Sequence, residues 1–362
     1  MTAAERNILF LDSAIELPYH KKAKILSMFD IDKDLYSSFE EIEQQLSQIL
    51  TPKEMSFLRR SAKANLDAII EGYNRDNIYT VTIYNDKYPS KLREVENPPF
   101  CLYCKGNIEL LNSEGIAVVG SRKISDYGKV VTTMFCKEFA RAGLTVVSGM
   151  ALGVDTVAHN TAIENQGATI AVMGGGFNHI YPTANFGLYK QILQNGLVVT
   201  EYVPNAEPLA YNFPVRNRII AGLSRAVLVT EAGLKSGALH TKNYAVDIGR
   251  EVFAIPGKIT SSESEGTNNI IRQCQATLVT KPADIFDSLG IKLQEITKKP
   301  SQQLDITTTS ILNYILAEKK TFQEIADFTN MSTRELNNKL MEMQMDGLII
   351  KLAGNSYIST AQ

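Results

Sequence analysis

Arg216 and Arg218 stand two residues apart in "FPVRNRIIAGLS", which runs from Phe213 to Ser224. Read as a helix, this stretch puts Val215, Ile219, Ile220 and Leu223 at core-facing spacing. Two guanidiniums beside such a stripe need a partner. Pro214 suits a first helical turn and so sets both near a positive helix end, where an anion, above all a phosphate, is the expected partner. Other cations follow turn residues: Arg122 and Lys123 after Gly120 and Ser121, Lys242 beyond Ser236, and Lys258 after Gly257. Phe177, Tyr181, Tyr211 and Phe213 are interleaved with them. Rings that stack on bases beside cations that pair with phosphates suit single-stranded nucleic acid.

The elements that must position these residues are short apolar strands: "GIAVVG", "LTVVSG", "ATIAVMGGG", "GLVVTE", "AVLVTEAG", "EVFAIPG" and "ATLVTK". Helical stretches separate them, which predicts a doubly wound, mostly parallel α/β sheet covered on both faces. Ligands of such sheets bind beyond the carboxyl ends of the strands. There the chain places Gly120, Ser121 and Arg122, then Gly174, Gly175 and Gly176, and small residues elsewhere, an expected phosphate-binding rim. No Gly-Lys-Ser/Thr follows these glycines, and "GSRKISDYG" replaces a G-x-G-x-x-G. No P-loop is therefore present, the replacement argues against NAD and FAD, and no cofactor is expected. Glu201, Glu231 and Asp155 read as caps or structural acids, and no Ser-His-Asp or Cys-His set forms around the rim. A binder is favoured over an enzyme.

The 362 residues carry 37 Lys and Arg against 39 Asp and Glu, so a nucleic-acid site must be a local patch. Residues 115–285 hold fifteen bases to twelve acids, the largest positive excess; the first 114 have fourteen to eighteen, and residues from Asp305 onward five to seven. No signal-like or membrane-length apolar segment is present, and four cysteines fit a reducing cytoplasm. Cys101 and Cys104 form a C-x-x-C without a second pair, so "FCLYCKG" reads as a strand and no metal is expected. Residues 1–85 read as short helices, including "AIELPYHKKAKILSMF" and one run through "TPKEMSFLRRSAKANLDAIIEGYN". The sheet domain is expected over 86–290, a linker over 291–304, and three helices with a two-stranded wing, a winged helix, over 305–362. Its helix "STRELNNKLMEMQMDG" is mixed and Met-rich, which suits packing or protein contact better than duplex reading.

The stretches "YPSKLREVENPPFCLYCKGN", "AVVGSRKISDYG", "VVSGMALGVDTVAH", "GGGFNHIYPTAN", "FPVRNRIIAGLSRAVLVTEAGLKSGALHTKNYAVDIGREVFAIPG" and "GTNNIIRQCQATLV" occur in order from about 88 to 281. In this the chain resembles the bacterial DNA-processing protein A family (DprA, also called Smf). The resemblance implies an extended Rossmann-like domain, an N-terminal SAM-like helical domain and a C-terminal winged helix. It also implies single-stranded DNA binding without catalysis, homodimerisation, and loading of the RecA recombinase in natural transformation. The family's Gly-Ser-Arg falls on Gly120, Ser121 and Arg122, its Arg-Asn-Arg on Arg216, Asn217 and Arg218, and its Ser-Gly-Ala on Ser236, Gly237 and Ala238. Thr183 stands where many members carry a base, a role Lys190 could take. "LPYHKKAKILSMF" lacks the glycines of a helix-hairpin-helix. Two other readings stay open. One is a phosphoribohydrolase of the lysine-decarboxylase-like kind with Glu231 as its acid, although "TEAGLKSGALHT" replaces that family's PGG-x-G-T. The other is a duplex-reading regulator acting through the winged helix.

Overall fold

Thr2 starts the first helix by accepting the Glu5 N–H, while the Glu5 carboxylate accepts from Thr2 N at 2.8 Å, a reciprocal cap. That helix, α1 (Ala3–Ser13), precedes α2 (Tyr19–Met28), α3 (Phe39–Leu46), α4 (Pro52–Lys63) and α5 (Leu66–Arg75). The computed structural model describes residues 1–291, 305–316, 318–352 and 354–359. The single run expected from Thr51 to Asn74 is two helices, because the Asn65 side chain accepts from Ala68 N and so begins a new one. Helix α1 lies before the stretch that the sequence pattern marked. Its buried Asn7 ties down the loop between α2 and α3, donating to Lys33 O at 2.8 Å and accepting from Leu35 N at 2.8 Å.

The sheet takes in β1 (Tyr79–Thr82), β2 (Cys101–Gly106) and β3 (Gly115–Val119), followed by α6 (Asp126–Arg141). Next come β4 (Thr145–Ser148), α7 (Val154–Glu164), β5 (Thr169–Val172), α8 (Phe186–Asn195) and β6 (Leu197–Thr200). Then follow α9 (Asn212–Gly222), β7 (Ala226–Val229), α10 (Ala238–Asp247), β8 (Glu251–Ala254), α11 (Glu265–Arg272), β9 (Thr277–Leu278) and α12 (Pro282–Leu289). The order is β1-β2-β6-β5-β4-β3-β7-β8-β9. Only the β1–β2 and β2–β6 pairings are antiparallel. All seven apolar runs are strands of this sheet; β3 to β7 are buried throughout, as covering on both faces requires, whereas the two residues of β9 at the margin are exposed. Along β3, Ala117 and Val119 pack into the core shared with α9 and α10, whereas Ile116 and Val118 pack into the core shared with α6 and α7.

Strand β1 lies within the first 85 residues yet belongs to the sheet, so the helical segment ends before Tyr79. That segment is not separate: Leu46, Leu58 and Leu66 share one core with Tyr103, Met173 and Ile192. Cys101 and Cys104 are three residues apart on β2, and their side chains enter different cores on opposite faces. Among the described residues no His, Cys, Asp and Glu side chains gather as a metal site, and no helix is long and apolar enough to cross a membrane. The expected linker lies, apart from Ile291, outside the described residues. Beyond it stand α13 (Ile306–Ile315), β10 (Lys320–Thr321), α14 (Phe322–Thr329), α15 (Thr333–Met345), β11 (Ile349–Leu352) and β12 (Ser356–Ser359). β12 pairs with both β10 and β11, giving the winged-helix outline a third strand around Ile311, Ile325, Leu336 and Leu340.

Candidate functional site

Strand order reverses between β3 and β7, since β4, β5 and β6 follow on one side of β3 while β7, β8 and β9 follow on the other. The carboxyl ends at such a switch point diverge and leave a crevice. Gly120 leaves β3 so close to its neighbours that a Cβ would lie 2.5 Å from Val154 and 2.7 Å from the Glu231 carbonyl. Ser121 N donates to Glu231 O at 2.7 Å, and Ser121 O accepts from Val154 N at 3.1 Å. Clamped on both sides, this turn projects Arg122 and Lys123, both exposed, into a cleft of about 530 Å³. Arg216, Asn217, Lys235, Ser236 and His240 line its other walls, with Asp155 and Glu263 as its carboxylates. The Glu263 carboxylate lies 3.2 Å from the Ser121 hydroxyl.

Arg216 enters from α9 at only 4% exposure. It donates to Gly149 O at 2.9 Å, to Val172 O, and to Asn217 Oδ1 at 3.2 Å. Asp155, accepting from Gly149 N and Ala151 N at 3.1 and 3.2 Å, supplies the nearby opposite charge. Burial pulls the Arg216 guanidinium down to about 10, with Asp155 opposing the shift, so it remains a cation at neutral pH. Burial likewise pushes the Asp155 carboxyl up, against the pull of Arg216. Asn217 donates to Gly237 O at 3.2 Å and so fastens α9 to the Ser236–Ala238 turn. The Phe213 ring has the Arg122 and Arg216 guanidiniums each 5.8 Å from its centroid and Tyr181 at 5.4 Å.

Gly120, Ser121, Arg122, Arg216, Asn217 and the Ser236–Ala238 turn thus meet around one cleft, whereas Gly174, Gly175, Arg218, Lys242 and Lys258 do not line it. Two residues along a helix is a rotation of about 200°, and Arg218 points away from Arg216. Its fork meets both Glu201 oxygens at 2.6 Å and Asn97 O at 3.0 Å, so in this structure its partner is a carboxylate of the chain. Gly174 and Gly175 are buried under the segment leading into α9: a Cβ on either would come within 2.9 Å of Phe213 or Pro208. They permit close packing there and form no open rim. Lys242 is buried and donates to Gln275 Oε1 at 2.9 Å. Lys258 is exposed but does not line the cleft. Arg216 is also too deeply engaged for its replacement by Ala to spare the fold, as simple phosphate pairing would have allowed, because Asp155 would lose its counter-charge.

Lys235, His240 and Glu263 line the cleft without having been singled out. Lys235 could have been found, since "TEAGLKSG" follows a strand in the same manner as "GSRK"; nothing local marks Glu263. Each acid read as a cap or structural acid is engaged within the chain, Glu201 by Arg218 and Asp155 by Gly149 N and Ala151 N. Glu231, the acid of the hydrolase reading, is occupied by Ser125 N at 2.8 Å and the Ser125 hydroxyl at 2.5 Å. Thr183 lies in an exposed turn.

Beneath the cleft His159 is fully buried, with Nδ1 2.6 Å from Thr169 Oγ1. That hydroxyl gives its own proton to Val146 O, so Nδ1–H donates and Nε2 is left without a partner among the described residues. Burial, with Arg216 adding to it, holds the imidazole down from 6.5 to about 3. Below its ordinary value the unfolded chain therefore binds a proton that the folded chain refuses. This contribution to stability is complete above pH 6.5 and is lost as pH falls towards 3, at up to about 1.4 kcal/mol per pH unit. His159→Gln is expected to flatten the decline of the urea midpoint between pH 6 and pH 4; an undiminished slope would assign the acid sensitivity elsewhere.

A family model described as DNA recombination-mediator protein A matches residues 79–290. Protein Smf of Escherichia coli (strain K12) is 36% identical over 309 residues, which cover 83% of this chain and 81% of that protein. DNA processing protein DprA of Streptococcus pneumoniae is 44% identical over 205 residues, 57% of this chain and 72% of the relative. Among solved structures, DNA processing protein A from Streptococcus pneumoniae aligns with a TM-score of 0.69 at 35% identity, covering 79% of this chain and 98% of that one. A Helicobacter pylori DNA processing protein A, described for its single-stranded DNA binding mode, aligns with a TM-score of 0.53 at 32% identity, covering 58% and 95%.

Proposed function

The chain belongs to the DNA recombination-mediator protein A family, and from that premise we propose that the switch-point cleft binds single-stranded DNA without catalysis. The observation that carries this reading is Arg122: an exposed guanidinium, set by a turn with no room for a side chain at Gly120, beside the Phe213 ring. Phosphates pair with Arg122, Lys123 and Lys235, Arg216 supplies a fixed deeper charge, and Phe213 offers a ring face to a base. Ser236, Gly237 and Ala238 close the opposite wall. Glu231, the acid that a nucleotide hydrolase would use, accepts from Ser125 N and the Ser125 hydroxyl, which supports binding over hydrolysis.

On the same reading the protein works in the cytoplasm, protects incoming strands and loads the RecA recombinase onto them. Two copies joined through their sheet domains would hold one strand at two sites and gain affinity through effective concentration. The test is fluorescence anisotropy with labelled oligo-dT and with duplex DNA across several salt concentrations. Tight single-strand binding that weakens steeply with salt is expected, with a slope near 0.7 per phosphate neutralised. Equal indifference to both DNAs would refute the proposal.

A further inference from the structure

We infer that α8 carries a second seat for the strand, built on Phe186 and Lys190, where the nucleic acid leaves the cleft; this rests on the single-strand reading above. Asn185 fixes the position of that helix. Its amide donates to Met150 O at 2.8 Å and to Thr156 Oγ1 at 2.9 Å, which pins the start of α8 against the loop whose Ala151 lines the cleft. Phe186, the next residue, is therefore a fixed ring close to the cleft wall, and yet it is 48% exposed. Leu152 and Tyr181 are similarly exposed between the two places. A notch of about 40 Å³, lined by Arg122, Phe213, Leu152, Tyr181 and Pro182 among others, shares the cleft's cation and ring and reaches Pro182, four residues before Phe186.

The chemistry of α8 matches a nucleotide more closely than a protein side chain. Lys190 lies four residues beyond Phe186, on the same helical face, with Nζ 4.6 Å from the ring centroid. It is the only charged residue of α8, so no acid on the helix offsets it. Gly187 leaves open space beside the ring. A base takes the place of the exposed ammonium over Phe186, and the ammonium moves to the flanking phosphate, which is the pairing of ring and cation that single strands use. A purely apolar partner would have no use for the lysine.

Anisotropy with oligo-dT of increasing length separates the two seats. Wild-type protein is expected to bind longer oligomers about tenfold more tightly than one just filling the cleft, and Phe186→Ala to remove that gain while leaving the shortest oligomer unaffected. Lys190→Gln should lower the salt slope for long oligomers by about one. Both positions are exposed, and matched melting temperatures would verify folding. A length gain and salt slope retained by both variants would overturn the second seat alone; failure of the wild type to bind any oligomer would overturn the single-strand reading with it.

Discussion

Arg122→Ala should reduce single-strand affinity by roughly ten- to a hundredfold and leave the melting temperature unchanged. A hydrogen bond to a charged group is worth about 1.5–3 kcal/mol, and each 1.4 kcal/mol or so is a factor of ten in affinity. The loss falls on binding because the side chain is exposed while its turn is held by backbone: Ser121 N on Glu231 O at 2.7 Å and Val154 N on Ser121 O at 3.1 Å. Neither bond depends on the guanidinium. The salt slope should fall by about 0.7 for each phosphate contact removed. Titrations at four or five salt concentrations, with calorimetric melting of both proteins, measure the two effects separately. An unchanged slope would mean that Arg122 meets no phosphate, and the cleft would lose its principal exposed cation.

The contrast between Arg122 and the two arginines of the Arg216–Arg218 motif marks how far sequence could reach. Seven apolar strands were legible, five of them (β3 to β7) because burial on both faces leaves unbroken apolar runs, and their order along the chain was enough to predict the carboxyl edge where Arg122 sits. Strand β1 was not, since at the sheet's margin its Tyr79 is half exposed and "YTVT" resembles any edge segment. The break before α5 was hidden because Asn65 is tolerated inside a helix and only its bond to Ala68 N reveals a cap. Gly174 and Gly175 looked like a rim because a strand-end glycine serves equally for ligand approach and for close packing. Which use applies depends on where Pro208 and Phe213 return, a long-range fact. Likewise nothing near Arg218 shows that Glu201, seventeen residues earlier at the end of β6, faces it.

That pair gives the second large effect, and here stability is lost rather than binding. Arg218 and Glu201 form a bidentate pair with side chains 5% and 14% exposed. Arg218→Ala would strand a carboxylate in a nearly dry site beside α9, and breaking a buried pair in this way typically costs about 3–5 kcal/mol. The denaturant midpoint should therefore fall well below that of the wild type, with the slope of the transition retained. Removing both charges discriminates pair from ligand. Arg218→Met combined with Glu201→Gln should recover much of the lost stability, because a half-removed buried pair is worse than none. Single-strand binding should suffer little in the stabilised double variant, since α9 then keeps Arg216 and Phe213 in place. The opposite pattern, a normal midpoint for Arg218→Ala with affinity reduced as far as for Arg122→Ala, would mean that α9 turns on binding and exchanges Glu201 for phosphate. The ion pair would then be a latch on the site, and the closed cleft described above only its resting form.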